Sequence, residues 1–336
     1  MTIISKSGVA FASLLALTGL TACGGTDSTA SPAGSTKARA AASLSSCGLD
    51  LDVSAPPKRA ISLEQNATEI MLSLGLADRM VGTSYQTDPV LPSLGDQYEK
   101  VPVLAEQYAN HESTLAEEPD FLYSTLSSAY ADEAAGKRAD WVSSHVPAYL
   151  SVHDCENPKL TPAEVTFDAI FDEIEDIADI FDVEQRGEKV VADLRKRLDR
   201  AVKDVPKNTG ASLMWFYSGT TTPYIAGHGG LPSTVSALVG VDNAFDDVRQ
   251  KWPAGNWEEI AERDPDVIVL ADLTRGGDGD SAESKKKFLR SNPVTSRLSA
   301  VRNDRFIVVP GSAMDPSVRG VGLVENVGKG LTDLYG

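Results

Sequence analysis

Basic residues are in short supply. Lys and Arg number 31 against 48 Asp and Glu in 336 residues, a formal charge of −17. That balance argues against a nucleic-acid partner, because phosphates recruit Lys and Arg. Three cysteines are too few for a disulfide framework. Four histidines leave little for a transition-metal centre, which needs three or four convergent ligands. Glycine-rich phosphate loops, a dinucleotide fingerprint, a paired-His zinc helix and a nucleophile-elbow Ser are all missing. The run Gly276-Gly277-Asp278-Gly279-Asp280 lacks the third acidic position and the closing Glu of a calcium loop, and reads as a surface loop. The expectation is a non-enzyme with no cofactor and no metal ion of its own.

Long apolar runs are scarce too. The stretch Val9 to Leu20 follows Lys6 and is too short to cross about 30 Å of hydrocarbon comfortably. A positive start, a short apolar stretch and small residues before a break mark residues 1–22 as a secretory signal. The break Leu20-Thr21-Ala22-Cys23-Gly24 looks like a bacterial lipobox, so Cys23 is the expected lipidation site. Residues 23–46, rich in Gly, Ser, Thr and Ala, read as a flexible tether. The expected location is the outer face of the bacterial cytoplasmic membrane, held through the lipid anchor only. Cys47 and Cys155 then remain as an even pair in an oxidising place, and a disulfide between them is expected, with two free thiols as the alternative.

What is present is 42% hydrophobic and patterned as α/β. Strand patterns at Arg59–Leu63, Met80–Tyr85, Phe121–Ser124 and Pro147–Val152 alternate with helical ones such as Ala67–Leu74. The alternation restarts after residue 205, with Ser212–Tyr217, Asp266–Leu270 and Arg305–Val309. Phe167, Ile170, Phe171, Ile174, Ile177, Ala178 and Phe181 recur at helical steps between the halves. Asp168, Asp172, Glu173, Glu175, Asp176, Asp179 and Asp182 read as the solvated face of that helix. A second helix from about Glu184 to Lys203 carries Val190, Leu194, Leu198 and Val202 in a stripe, long enough to be a rigid strut. The predicted fold is therefore α/β, with two similar lobes, mostly parallel sheets and one long rigid inter-lobe helix. Residues 47–182 form the N-terminal lobe, 183–204 the helix and 205–336 the C-terminal lobe.

The halves also share a repeat. Glu112 to Asp120 and Glu258 to Asp266 each open on a Glu seven residues before a Pro-Asp stop and a strand. In such lobes ligands bind beyond the carboxyl ends of the strands. The candidates near those ends are Tyr85, Tyr108, Tyr217, Tyr224, His228, Trp252, Arg275 and Arg319. Their aromatics and Arg suit a sizeable organic ligand with some anionic character, with Arg275 meeting an anionic oxygen.

From about Pro57 onward the chain resembles the periplasmic-binding-protein family that serves ABC importers for iron-siderophores, haem and vitamin B12. Pro57-Lys58-Arg59-Ala60-Ile61-Ser62-Leu63, the segment Thr68 to Val81-Gly82, both Glu-to-Pro-Asp segments and Val183-Glu184 to Leu198 carry the resemblance. It implies a monomeric solute-binding lipoprotein that captures a small molecule, here a ferric siderophore-type chelate, in the inter-lobe cleft. It also implies delivery to ABC permease subunits, with Glu112 and Glu258 as permease-docking residues. Two further readings stay open. One is haem or a corrinoid such as vitamin B12 on the same scaffold, with His111, His228 and Tyr217 as candidate haem ligands. The other is a surface-anchored hydrolase or an adhesion module.

Overall fold

The computed structural model describes residues 44–206 and 209–336. Cys23 and the signal segment lie outside the described residues. The expected tether ends sooner than residue 46, because Leu44–Ser46 is already strand β1, paired antiparallel with β2 (Leu49–Leu51). Ser46 in turn fastens this hairpin to the first lobe. Its hydroxyl donates to the Leu150 carbonyl and accepts from the Leu150 N–H. Cys47 and Cys155 form a disulfide, with their Cα atoms 5.3 Å apart. The buried guanidinium of Arg138 donates to both Ser46 oxygens.

The first lobe is a five-stranded parallel sheet. Its strands are β3 (Ala60–Ser62), β4 (Met80–Ser84), β5 (Val103–Ala105), β6 (Phe121–Ser124) and β7 (Ala148–Leu150), in the order β5-β4-β3-β6-β7. Helices α1 (Gln65–Ser73), α2 (Gly95–Tyr98), α3 (His111–Ala116) and α4 (Arg138–Ser143) connect them. Two helices follow, α5 (Phe167–Ile180) and α6 (Glu184–Asp204). The second lobe has β8 (Ser212–Ser218), β9 (Tyr224–Ile225), β10 (Asp242–Asn243), β11 (Val267–Asp272) and β12 (Phe306–Pro310). Its order is β10-β8-β11-β12, parallel, with β9 antiparallel on β8. Helices α7 (Leu231–Val239), α8 (Trp257–Arg263), α9 (Ala282–Ser291), α10 (Ser299–Arg302) and α11 (Gly320–Tyr335) complete it.

The repeat does the same work in both lobes. Asp120, after Pro119, accepts from the N–H groups of Lys58 and Arg59 at the entry to β3, each at 2.8 Å. Asp266, after Pro265, accepts from the Ser212 N–H and hydroxyl at the entry to β8, each at 2.9 Å. Each aspartate thus ties its own strand to the parallel neighbour beside it.

The predicted apolar stripe of α5 is buried throughout. Its acidic face needs one correction: Glu173 is buried, and accepts from Tyr123 at 2.6 Å and Ser151 at 2.5 Å. The 21 residues of α6 span roughly 30 Å. Arg186 donates from this helix to the carbonyls of Leu74 and Gly75 at the end of α1, each at 3.1 Å. Arg197 forms a two-pronged pair with Glu325 of α11, at 2.9 and 2.6 Å. At Gly187 an added Cβ would stand 2.6 Å from the Ala178 Cβ, so glycine permits the close packing of α6 on α5. One apolar cluster runs from Phe121 and Tyr123 through Ile174 and Leu194 to Val267 and Val324, joining the two lobes without a polar break.

Candidate functional site

Strand order fixes where a ligand fits. In the first lobe the chain winds one way from β3 to β4 and the other way from β6 to β7, so a crevice opens between β3 and β6. In the second lobe the same reversal falls between β8 and β11. Both crevices face one cleft. A cavity of about 190 Å³ there is lined by Glu64, Asn66, Tyr85, Tyr108, Tyr217 and Asp315, among others. A second chamber of about 180 Å³ adjoins it at Leu126 and Asp315, and extends past His153, Lys251 and Trp252.

Glu64 follows β3 and caps α1, accepting from the N–H groups of Asn66 and Ala67. It also accepts from the Thr125 N–H and hydroxyl at the end of β6, bridging the two arms of the crevice. Burial raises its carboxyl above the ordinary value, and these hydrogen bonds pull back. Asp315 sits between the chambers with no ion-pair or hydrogen-bond partner among the described residues. Burial, reinforced by Glu64, Asp154 and Asp88, pushes its carboxyl up to about 7.

The aromatics form two facing pairs. Tyr85 and Tyr108 lie 4.3 Å apart on the first lobe, and Tyr217 and Trp252 lie 5.2 Å apart on the second. Tyr85 has φ +48°, an uncommon backbone state for a bulky residue, of the kind that clusters at binding sites. Tyr108 is further held by a 2.8 Å contact with Ser128. Arg275 lies over the Tyr217 ring at 5.6 Å.

Five of the eight predicted ligand contacts are therefore brought together: Tyr85, Tyr108, Tyr217, Trp252 and Arg275. The other three are not. Tyr224 is 50% exposed on β9 and lines neither chamber. His228 stands between Glu164 and Asp246, at 3.5 and 3.1 Å, outside both chambers. Arg319 is buried and committed to Glu69 and the Pro89 carbonyl. His111, a candidate haem ligand, bonds the Ala135 carbonyl and packs on Trp141. Arg275 also differs from expectation in charge, since Asp280 already neutralises it at 2.8 Å. Among the described residues the first chamber is lined by two acids, Glu64 and Asp315, and by no Lys, Arg or His, so no free cation awaits an anionic ligand there. Among the described residues no group of three His, Cys, Asp or Glu is placed to hold a metal ion, and no helix is long and apolar enough to cross a membrane.

The sequence candidates did not include Glu64, Asp315, His153 or Lys251. The signal for Glu64 was an acidic residue at both a strand end and a helix N-cap.

Glu112 and Glu258 occupy matching places. Asn110 caps α3 by accepting from the Ser113 N–H at 2.9 Å. Asn256 caps α8 by accepting from the N–H groups of Glu258 and Glu259 at 2.8 and 3.1 Å. Each Glu follows its capping Asn by two residues, is exposed, and has no side-chain partner among the described residues.

Comparison with known proteins agrees with this architecture. The family described as periplasmic binding protein matches residues 61–313. A vitamin B12-binding protein of Vibrio parahaemolyticus is 28% identical over 244 residues, covering 72% of this chain and 81% of that protein. A periplasmic binding protein of Veillonella parvula superposes with a TM-score of 0.75 at 26% identity, covering 84% and 94% of the two chains. An ABC-type Fe3+-hydroxamate transport protein of Saccharomonospora viridis superposes with a TM-score of 0.73 at 23% identity, covering 86% and 98%.

Proposed function

The chain belongs to the periplasmic binding protein family, and we propose from that premise that it captures an uncharged or cationic ferric chelate of hydroxamate type and presents it to an ABC importer. Proteins of this family bind small molecules outside the cytoplasm and hand them to permeases; they are binding proteins, not enzymes. The observation that carries the finer reading is the charge of the cleft. Asp315 faces both chambers unpaired, Glu64 lies beside it, and the nearest guanidinium is taken by Asp280. A trianionic catecholate chelate would find no free cation there, and Asp315 would repel it once its carboxyl ionises, above about pH 7. A neutral chelate, or one with a pendant ammonium, would meet Asp315 in a charge-assisted hydrogen bond, while the four aromatic rings cover its carbon arms. The iron stays within its chelate and is cargo.

A second reading is a corrinoid on the same surface, favoured by the Vibrio parahaemolyticus relative. Corrinoids are neutral to cationic and ringed with amides, so the charge argument admits them. Their bulk fits less well in two chambers of about 190 and 180 Å³.

The test is a titration followed by tryptophan fluorescence, with Trp252 in the cleft wall as reporter. Three ferric chelates are compared, a hydroxamate bearing an ammonium arm, a neutral hydroxamate and a catecholate, alongside cyanocobalamin. The expected order of affinity is ammonium-bearing, neutral, then catecholate, and Asp315→Asn should remove the advantage of the ammonium arm. Tightest binding of the catecholate would sink the charge argument, and cobalamin binding alone would select the second reading.

A further inference from the structure

The second chamber holds features that the chelate's charge does not use. His153 lines it and is 5% exposed, yet neither ring nitrogen has a hydrogen-bond partner. Folded proteins pair nearly every buried polar group, so an imidazole with two idle nitrogens calls for a partner from outside the chain. Gly230 and Leu231 bring the start of α7 to the same chamber. That helix has no side-chain cap, and Pro232 occupies its first turn. Pro232 has no N–H, so what the helix start presents to the chamber is the Leu231 N–H and a partial positive charge. Lys251 donates from Nζ to the His153 carbonyl at 3.0 Å, which leaves two of its three protons for other acceptors.

We propose that this chamber is a subsite for an uncharged carbonyl oxygen of the ligand, of amide or hydroxamate kind, received by His153, Lys251 and the open start of α7.

The donor set is rich, and the charge balance selects the acceptor. Lys251 is the chamber's single cation, and Asp154 and Asp315 are its two acids. Asp154 accepts from the Ser127 N–H at 2.7 Å and hydroxyl at 2.9 Å. A full anion would be opposed by these carboxyls, whereas a carbonyl collects hydrogen bonds without carrying charge into the site. Burial, with Lys251 adding to it, pulls His153 down to about 4, so the ring is neutral and offers one donor and one acceptor at physiological pH. An amide or hydroxamate group can answer both.

The inference rests on the chelate reading for the ligand's class, but fragments test it apart from that reading. The probes are N-methylacetamide and acetohydroxamic acid, with acetate as the charged control. The readout is the ring nitrogens of His153 in protein carrying 15N-labelled histidine, assigned with His153→Phe among the four histidines. The expected result is a saturable shift at His153 with both neutral fragments and a smaller one with acetate. Lys251→Met should weaken fragment binding about fivefold, the equivalent of one ordinary hydrogen bond. Unmoved His153 nitrogens, or a stronger response to acetate, would overturn the subsite. Fragment shifts in a protein that binds no ferric hydroxamate would leave the subsite standing and remove the chelate reading. A chelate bound equally well by wild type and His153→Phe would do the reverse.

Discussion

Glu69 and Arg319 meet across the two lobes as a buried ion pair. Arg319 Nε lies 2.6 Å from a Glu69 oxygen, and the same guanidinium reaches the Pro89 carbonyl at 2.7 Å. The pair joins α1 to the start of α11, 250 positions apart in the chain. With the continuous apolar cluster and the two anchors of α6, it resists hinge opening. Removing one partner strands a buried charge, which costs about 3–5 kcal/mol. Arg319→Ala and Glu69→Ala should each lower stability by that amount in denaturant titrations. The double change Glu69→Leu with Arg319→Met should recover most of it, because an apolar pair leaves no charge unpaired. A double variant as unstable as either single one would show that the pair is not the unit that matters.

Glu173 should give the protein a titration signature. Burial pushes its carboxyl up to about 7, with the Ser151 and Tyr123 hydrogen bonds opposing and Glu64 and Asp176 adding to the rise. The folded state therefore keeps a proton that the unfolded chain releases from about pH 4.5. Stability then falls as pH rises from about 4.5 to 7, by on the order of 3 kcal/mol at most. Asp315 contributes with the same sign, so the informative quantity is wild type minus Glu173→Gln. Gln keeps a hydrogen-bonding group for both hydroxyls and has nothing to titrate. That difference should decline across the window; a flat difference would mean Glu173 is ionised throughout.

Both residues illustrate what the sequence could and could not convey. Strand and helix positions were legible because apolar spacing and Pro-Asp stops are local. Phe121–Ser124 falls where expected, and α6 ends one residue beyond its predicted Lys203. Glu173 was legible in principle: it lies three after Ile170 and four before Ile177, on the apolar stripe, yet was read with its acidic neighbours. Arg319 was not legible, because its partner is distant in the chain and a lone Arg near a helix start suits a ligand equally well. The charge available to an anionic ligand was overestimated for a related reason. Arg275 is visible in the sequence, but its neutralisation by Asp280 depends on how the 275–280 loop folds back on itself. His153 carried no local mark at all; its idle nitrogens are a property of packing.

Cys23 is expected to carry the anchor. The motive is Leu20-Thr21-Ala22-Cys23 after a short apolar run. A single acyl chain holds weakly, and stable anchoring takes more than one. Cys23→Ala should move the protein from the membrane fraction to the soluble one when expressed in a bacterium that processes lipoproteins. Retention on membranes after a salt wash would remove the anchor from the account.

Glu112 and Glu258 are expected to serve docking. Each stands exposed and unpartnered just past an Asn-capped helix start, one on each lobe. Acids in a first helical turn also complement the helix dipole, for about 0.3–1 kcal/mol each. The two roles separate by what changes. As dipole partners, Glu→Ala variants would lose a little stability and transport normally. As docking groups, they would keep ligand affinity and Tm while impairing uptake through the cognate importer. Two carboxylates on two lobes held rigid by α6 and the Glu69–Arg319 pair can read a paired basic surface on a permease. Reversal to Arg at both positions should then be worse than Ala, because like charges would face each other. The measurement is ligand uptake by vesicles carrying the importer, with affinity and Tm determined on the same preparations. Normal uptake by the double Arg variant would leave both residues to the helix dipole alone.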